Sequence, residues 1–104
     1  MQTYSSHAPA YTSPGDLLST NIDAFRTAVL PRVDKLSSGQ YLDLDLRASR
    51  LIDSVGLNAL VTVIKRAKAQ NAQVRIRTGH ASVRRILTFT RIDSHAIVLD
   101  PGAP

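Results

Sequence analysis

The segment "LIDSVGLNAL", residues 51–60, decides the fold of this chain. Two apolar residues lead into Asp53 and Ser54, and an apolar spacing of helical type begins at Leu57. We interpret the segment as the point where a buried strand region passes into an amphipathic helix. Asp and Ser are common at helix N-termini, because their side-chain oxygens accept hydrogen bonds from backbone N–H groups that lack a partner within the helix. The pattern therefore favours a helix cap formed by one of these two residues.

Strands and helices alternate on both sides of this junction. The predicted elements are a helix from about Asp16 that Pro31 limits, a strand at 40–46, a helix from about Val55 to Gln70 that ends at Asn71, a strand at 72–78, a helix capped by Ser82 and a strand at 96–100. The apolar stripe of the second helix is predicted at Leu57, Leu60, Val61, Ile64 and Ala67 or Lys68. This order predicts βαβ units with parallel strand pairing, and helices that cover the sheet.

The length and composition indicate one small domain. The 104 residues suit a single core, which we expect at about 15–99 within a domain of residues 1–104. Residues 1–14 are expected to form edge strands, at Met1–Ser6 and Ala10–Ser13, or to be partly disordered, and residues 101–104 form a tail. An unpaired edge strand can pair with the same strand of a second copy, so the sequence is compatible with a homodimer.

Charge is distributed unevenly along the chain. Residues 47–91 contain ten Lys or Arg and a single acid, Asp53, and the whole chain carries a formal charge of +5. This excess of positive charge is typical of a protein that binds an acidic partner, or of one with a basic face exposed to solvent. Nucleic-acid binding is not favoured, because the arginines fall on strands as well as helices and no aromatic residues interleave with them.

Several function classes lack their usual residues. The chain has no Cys, which excludes disulfides, thiol catalysis and thiolate metal sites. His7, His80 and His95 have no spacing typical of a metal site or a catalytic triad, and no Gly-rich phosphate loop is present. We therefore expect a protein that is not an enzyme and needs no metal or cofactor. No apolar run approaches the roughly 20 residues of a membrane span and no signal segment is evident, so the expected location is the cytoplasm.

The stretch "LDLRASRLIDSVGLNALVTVIKRAKAQNAQVRI", residues 44–76, resembles the STAS domain, the module named for sulfate transporters and anti-sigma-factor antagonists. That family carries an Asp-Ser-Ser-Gly-Leu motif after a strand that ends in Asp-Leu, and here Asp45-Leu46 precedes the motif. The resemblance extends from about Gly15 to Leu99, and "SVRRILTFTRID", residues 82–93, is similar to the third helix of the antagonists. It implies a single-domain STAS-like α/β fold, with a mixed β-sheet of about four or five strands covered by helices.

The resemblance also implies a function without catalysis. Bacterial antagonists regulate transcription by binding an anti-sigma factor of the GHKL kinase type, and they are switched off when that kinase phosphorylates the Ser before the motif Gly. Val55 occupies that position and has no oxygen to phosphorylate. Binding would then be constitutive or regulated in another way, with Ser54 as the remaining phosphorylation candidate. The acid that antagonists carry in Gly-x-Leu-Asp is also missing after Leu17, although Asp16 is a partial substitute.

A second branch of the same family fits the motif as well. The STAS subunits of ATP-driven lipid transporters read Asp-Ser/Thr-small-Gly-Leu, and the hydroxyl residue that matches Ser54 contacts the ATPase subunit. We favour the antagonist interpretation slightly over the transporter one, because residues 82–93 are similar to the third helix of the antagonists. In either case the resemblance implies a protein interface formed by Asp45, Asp53, Ser54, Val55, Gly56, Leu57 and Asn58. Val55 either anchors the partner there or packs beneath the loop.

Overall fold

A four-stranded sheet forms the centre of the protein. The computed structural model describes residues 11–100. The elements in chain order are β1 (Tyr11–Thr12), α1 (Ile22–Val33), β2 (Tyr41–Leu46), α2 (Ser54–Ala69), β3 (Gln73–Thr78), α3 (Ala81–Phe89), a 3₁₀ helix (Ile92–Ser94) and β4 (Ile97–Leu99). The strands lie in the order β1-β2-β3-β4, and each neighbouring pair is parallel. The predicted α/β class is confirmed.

The pairing of the described strands differs in one respect from the mixed sheet that we expected. All pairs within residues 11–100 are parallel, because a helix or helical segment connects each strand to the next one. The predicted strand at Met1–Ser6 lies outside the described residues. The prediction for Ala10–Ser13 falls in part on β1, which forms one edge of the sheet.

Alternation of side chains along β2 and β3 builds the core, as predicted. Leu42, Leu44 and Leu46 of β2 are buried, and Leu44 lies opposite the equally buried Ile76 of β3. The residues between them point to the other face, where Asp43 is paired with Arg75 at 2.7 Å between Oδ1 and Nε.

The helices complete the core from their own apolar positions. The α1 and α2 helices pack against each other, and the ring of Phe25 meets the ring of Tyr11 edge to face at 5.2 Å between centroids. This contact fixes the short edge strand β1 against α1. Besides the strand leucines, the largest fully buried side chains include Leu17, Phe25, Leu60 and Leu87. Within residues 11–100, no helix is both long enough and apolar enough to span a membrane.

The structure corrects the predicted bounds of α1. The helix begins at Ile22 rather than near Asp16, and it continues past Pro31 to Val33. Proline removes one backbone donor from a helix interior. Here that loss is offset because Val33 is fully buried, four residues after the buried Val29.

Two further helix predictions are wrong in detail. The buried face of α2 is formed by Gly56, Ala59, Leu60, Val63, Ile64 and Ala67, so that the predicted positions Leu57 and Val61 are only half-buried and Lys68 is exposed. The face includes Gly56 because the helix closely approaches the Leu17 carbonyl there. Ser82 does not cap α3, since its hydroxyl donates instead to the carbonyl oxygen of Arg50 at 2.8 Å.

Candidate partner-binding site

The predicted interface residues lie at the carboxyl end of β2, where Asp45 is the penultimate residue of the strand, or just beyond that end at 53–58. All described strands run in the same direction, so the loop 13–21 after β1 and the loop 47–53 after β2 meet at one edge of the sheet. Helix α2 begins there at Ser54. Open parallel sheets commonly place their binding sites beyond this edge, because loops vary there without disturbing the core.

Backbone hydrogen bonds join the two loops. The N–H of Leu17 donates to the carbonyl oxygen of Leu51 at 3.0 Å, and the N–H of Asp53 donates to that of Leu17 at 3.2 Å. These bonds make a parallel bridge between Leu17 and Ile52. One carboxylate oxygen of Asp16 strengthens it by accepting from the N–H groups of Arg50 and Leu51, at 2.9 and 3.1 Å. The loops therefore form a short extension of the sheet, a role of Asp16 that the sequence did not indicate.

The Asp53 side chain connects this paired segment to α2. Its Oδ1 accepts from the Gly56 N–H at 2.9 Å and its Oδ2 accepts from the Ser19 N–H at 2.8 Å. The predicted cap is confirmed, and Asp53 rather than Ser54 provides it. The same carboxylate thus satisfies a free donor of the helix and holds the loop that precedes α1.

Two aspartates of the region have perturbed acidities. The N–H groups of Ser19 and Gly56 stabilise the ionised form of Asp53 and hold its pKa below the ordinary value of 3.8. The pKa of Asp45 is also lowered, chiefly because the Arg47 guanidinium binds both carboxylate oxygens, at 3.0 and 2.8 Å. With only 5% of its surface exposed, Asp45 serves as an internal partner of Arg47.

Gly56 is required by the close approach of α2 to the loop after β1. A β-carbon at this position would overlap the carbonyl oxygen of Leu17 and lie 2.9 Å from Cγ2 of Ile52. Nearby, the fully buried Ser49 donates its hydroxyl hydrogen bond to the carbonyl oxygen of Gly15 at 2.6 Å. No sequence pattern identifies Ser49, because a loop serine is recognised as buried only when the opposing loop is known.

The structure places the remaining predicted residues at different depths. Ser54 and Asn58 are exposed, whereas Val55 and Leu57 are half-buried and contact the core. The Ser54 hydroxyl makes no hydrogen bond within residues 11–100, so the cap leaves it available. Leu51, with 61% of its surface exposed, adds an apolar side chain that sequence reasoning did not select. We call these five residues, Leu51, Ser54, Val55, Leu57 and Asn58, the α2 N-terminal surface.

The sequence pattern of the STAS domain matches residues 2–99. The chain belongs to the STAS domain family. Its fold is similar to the crystal structure of a Thermotoga maritima protein described as "a putative anti-sigma factor antagonist", with a TM-score of 0.73 and 18% sequence identity. The similarity covers 91% of this STAS chain and 83% of the other, and at this identity it establishes a shared fold. A comparison with curated proteins finds no match.

The described part of this STAS domain contains no group of three or more metal-ligating side chains. What the site offers is a fixed backbone and a set of exposed and half-exposed side chains. Such an arrangement is suited to recognition of another molecule by surface contact.

Replacing Gly56 with Ala tests the close approach of α2 to Leu17. The added methyl group should overlap the Leu17 carbonyl and lower the free energy of unfolding by about 1–3 kcal/mol, measured by chemical denaturation. Gly15→Ala is the matched control, because a β-carbon there meets nothing within 4 Å. Equal stability of the two variants would contradict the proposed packing.

The lowered pKa of Asp53 predicts a pH dependence of stability. The contribution of its ionised form is fully present above 3.8, the ordinary value, and is lost as the pH falls through the lower pKa of the folded protein. We expect Asp53→Asn to reduce the loss of unfolding free energy seen on acidification, measured by urea denaturation from neutral to acidic pH. Asp93→Asn removes the same charge from an exposed position and serves as the control. A wild-type profile in Asp53→Asn would refute the role given to its carboxylate.

Proposed function

We propose that this STAS domain is a non-enzymatic regulatory module that binds a protein partner through the α2 N-terminal surface. The partner proposed is an anti-sigma factor of the GHKL kinase type, and the location proposed is the cytoplasm. The observation that carries the proposal is the fixed start of α2, which exposes Ser54 and Asn58 on one face, with half-buried Val55 and Leu57 on either side of that face. The fold shared with a protein described as an antagonist supports the choice of partner.

The geometry favours binding because the surface is held in place before a partner arrives. Asp53 fixes Gly56, and Gly56 packs against the Leu17 carbonyl, so the first turn has little freedom left to lose. A preorganised surface avoids part of the entropy cost of association. Ser54 and Asn58 supply exposed polar groups on one face of the helix, and the half-buried Val55 and Leu57 flank that face with apolar surface, so a partner would find both kinds of contact.

Among the residues predicted to bind the partner, three act mainly as supports. Gly56 is buried, and Asp45 is enclosed by its contacts with Arg47. Asp53 directs both carboxylate oxygens to backbone N–H groups. We propose that these residues shape the interface and that the α2 N-terminal surface makes the direct contacts.

Regulation by phosphorylation at position 55 is absent in this proposal, because valine has no hydroxyl group. Phosphorylation of Ser54 is chemically open, since its hydroxyl is exposed and forms no hydrogen bond within the described residues. A phosphate there would add nearly two negative charges beside the Asp53 carboxylate, which already occupies the Gly56 N–H. We therefore propose binding that is constitutive or controlled by expression, a ligand or another subunit.

One observation favours a second candidate, an accessory subunit of an ATP-driven lipid transporter. The exposed Ser54 hydroxyl is available for an intermolecular hydrogen bond, and in that branch of the family the corresponding residue contacts the ATPase. The two candidates use the same surface of this chain and differ in the protein that binds it.

Affinity capture of the tagged protein from its own cells tests both candidates. At low and moderate salt, we expect a GHKL-type kinase or sigma-pathway protein to be recovered, whereas recovery of a transporter ATPase would establish the alternative. Asn58→Arg should reduce capture by about tenfold or more, because a bulky charge at an interface hinders packing. Ala69→Arg, an exposed position at the far end of the same helix, is the matched control. Capture unaffected by Asn58→Arg would contradict the location of the interface.

Val55→Ser tests the proposed loss of the switch. With the captured kinase and ATP, the variant should gain one phosphate and lose partner binding, while the wild-type protein should remain unmodified. Intact-mass spectrometry of the two proteins measures the added phosphate, and affinity capture measures the partner binding. Phosphorylation of the wild-type chain at Ser54 would show that the switch has moved rather than disappeared.

A further inference from the structure

A groove lies along the C-terminal half of α2, and its lining begins at Val61, one turn beyond Leu57 of the α2 N-terminal surface. Its cavity of about 350 Å³ separates α2 from the segment 90–95 that follows α3. The apolar side chains in its lining are Val61, Ile64 and Ile92, and the basic ones are Lys65, Lys68 and Arg91. A second cavity of about 280 Å³ shares Ile64, Lys68 and His95 with the first and continues towards the start of β3.

Within residues 11–100, the three basic side chains of this groove have no acidic partner. Arg66, on the same helix, is paired with Asp34, and Arg84 of α3 is paired with Asp100. Lys65, Lys68 and Arg91 form no ion pair with any acid of residues 11–100. Three positive charges around one concave surface raise the local potential and attract anions.

The side chain of Lys68 is held in position by His95. Its Nζ lies 2.7 Å from Nδ1 of His95, within hydrogen-bonding distance. An ammonium group has three donors, so this bond leaves two for a ligand. The contact is therefore compatible with anion binding at Lys68.

The floor of the groove determines what kind of anion fits. The half-buried Val61 offers apolar surface beside the cations, with smaller contributions from Ile64 and Ile92, which are 5% and 3% exposed. A simple inorganic anion would leave this surface uncovered, and a neutral apolar molecule would leave the charges without a partner. The cavity volume falls at the lower end of the range of about 300–1,000 Å³ seen for small-molecule sites.

We propose that this groove binds a small amphipathic anion, with a carboxylate or phosphate headgroup at Lys65, Lys68 and Arg91 and a short apolar tail on Val61, Ile64 and Ile92. The headgroup could belong to a free metabolite or to a lipid in a bilayer. The cations that α2 contributes to this site, Lys65 and Lys68, lie about two turns or more beyond the proposed partner interface and form no part of it.

Titration of the ¹⁵N-labelled protein with octyl phosphate, below its micellar concentration, tests the proposal by NMR. We expect saturable shifts of the backbone amides at 61–68 and 90–95. Inorganic phosphate, which lacks the tail, and octanol, which lacks the charge, should each bind at least about tenfold more weakly. Shifts centred on another part of the protein, the absence of saturation, or equally tight binding of octanol would overturn the proposal.

Variants of the rim separate a specific site from general attraction to a basic protein. Lys65→Met with Lys68→Met should weaken octyl phosphate binding by about tenfold or more. Arg32→Met with Lys35→Met removes the same charge from exposed positions outside the groove and should change affinity less than about twofold. An equal loss in both double variants would refute the site.

Arg91→Gly provides a test that does not depend on destabilising the fold. Arg91 follows the end of α3 with φ of 64°, a conformation that glycine adopts without steric cost. We expect the variant to keep or raise the midpoint of thermal unfolding while it binds octyl phosphate more weakly. Undiminished affinity would remove Arg91 from the site and contradict the three-cation headgroup contact.

Vesicle sedimentation distinguishes the two sources of the ligand. Binding to phosphatidylglycerol vesicles, absent with phosphatidylcholine and lost in the Lys65→Met and Lys68→Met variant, would assign the groove to bilayer lipids. Binding of octyl phosphate without vesicle binding would assign it to a free amphiphile. Either result supports the anion site. Vesicle binding that persists in the variant, with no saturable binding of octyl phosphate, would overturn it. Partner capture should be unchanged in the variant, so the two proposals fail separately.

Discussion

The carboxylate of Asp53 is the constraint on which the functional edge of this protein depends. Its two oxygens bind backbone N–H groups from segments that are far apart in sequence, Ser19 in the loop after β1 and Gly56 in the first turn of α2. Because both donors are backbone N–H groups, the connection between loop and helix through Asp53 depends on the path of the backbone and not on the neighbouring side chains. The Leu17–Ile52 bridge and the contact of Gly56 with the Leu17 carbonyl then follow from the same approach of loop to helix.

The parallel sheet explains why this link matters for function. Each strand ends at the same edge, so loops from β1 and β2 are brought together and α2 begins against both of them. A helix of 16 residues, with a rise of about 1.5 Å per residue, carries the chain some 24 Å away from that edge. One rigid element thus separates the proposed partner surface at its N-terminus from the basic groove near its C-terminus.

Features set by local sequence were predicted well. The alternation of apolar residues identified β2 and β3, and the Asp-Ser pair before Leu57 identified the start and the cap of α2. The features that the sequence did not reveal depend on contacts between distant segments. Ser82 bonds to Arg50, and Ser49 bonds to Gly15, 32 and 34 residues away, respectively. No local pattern distinguishes such serines from ordinary caps or loop residues. The extension of α1 past Pro31 also depends on tertiary burial, in this case of Val33.

Amide hydrogen exchange measured by NMR on the wild-type protein and an Asp53→Ala variant tests the central claim most directly. If one carboxylate joins the loop to the helix, the amides of Ser19 and Gly56 should both exchange faster in the variant, while that of Ile76 in β3 stays protected. Faster exchange of the Gly56 amide alone would show that Asp53 only caps the helix and does not hold the loop. Unchanged exchange at both amides would contradict the link altogether.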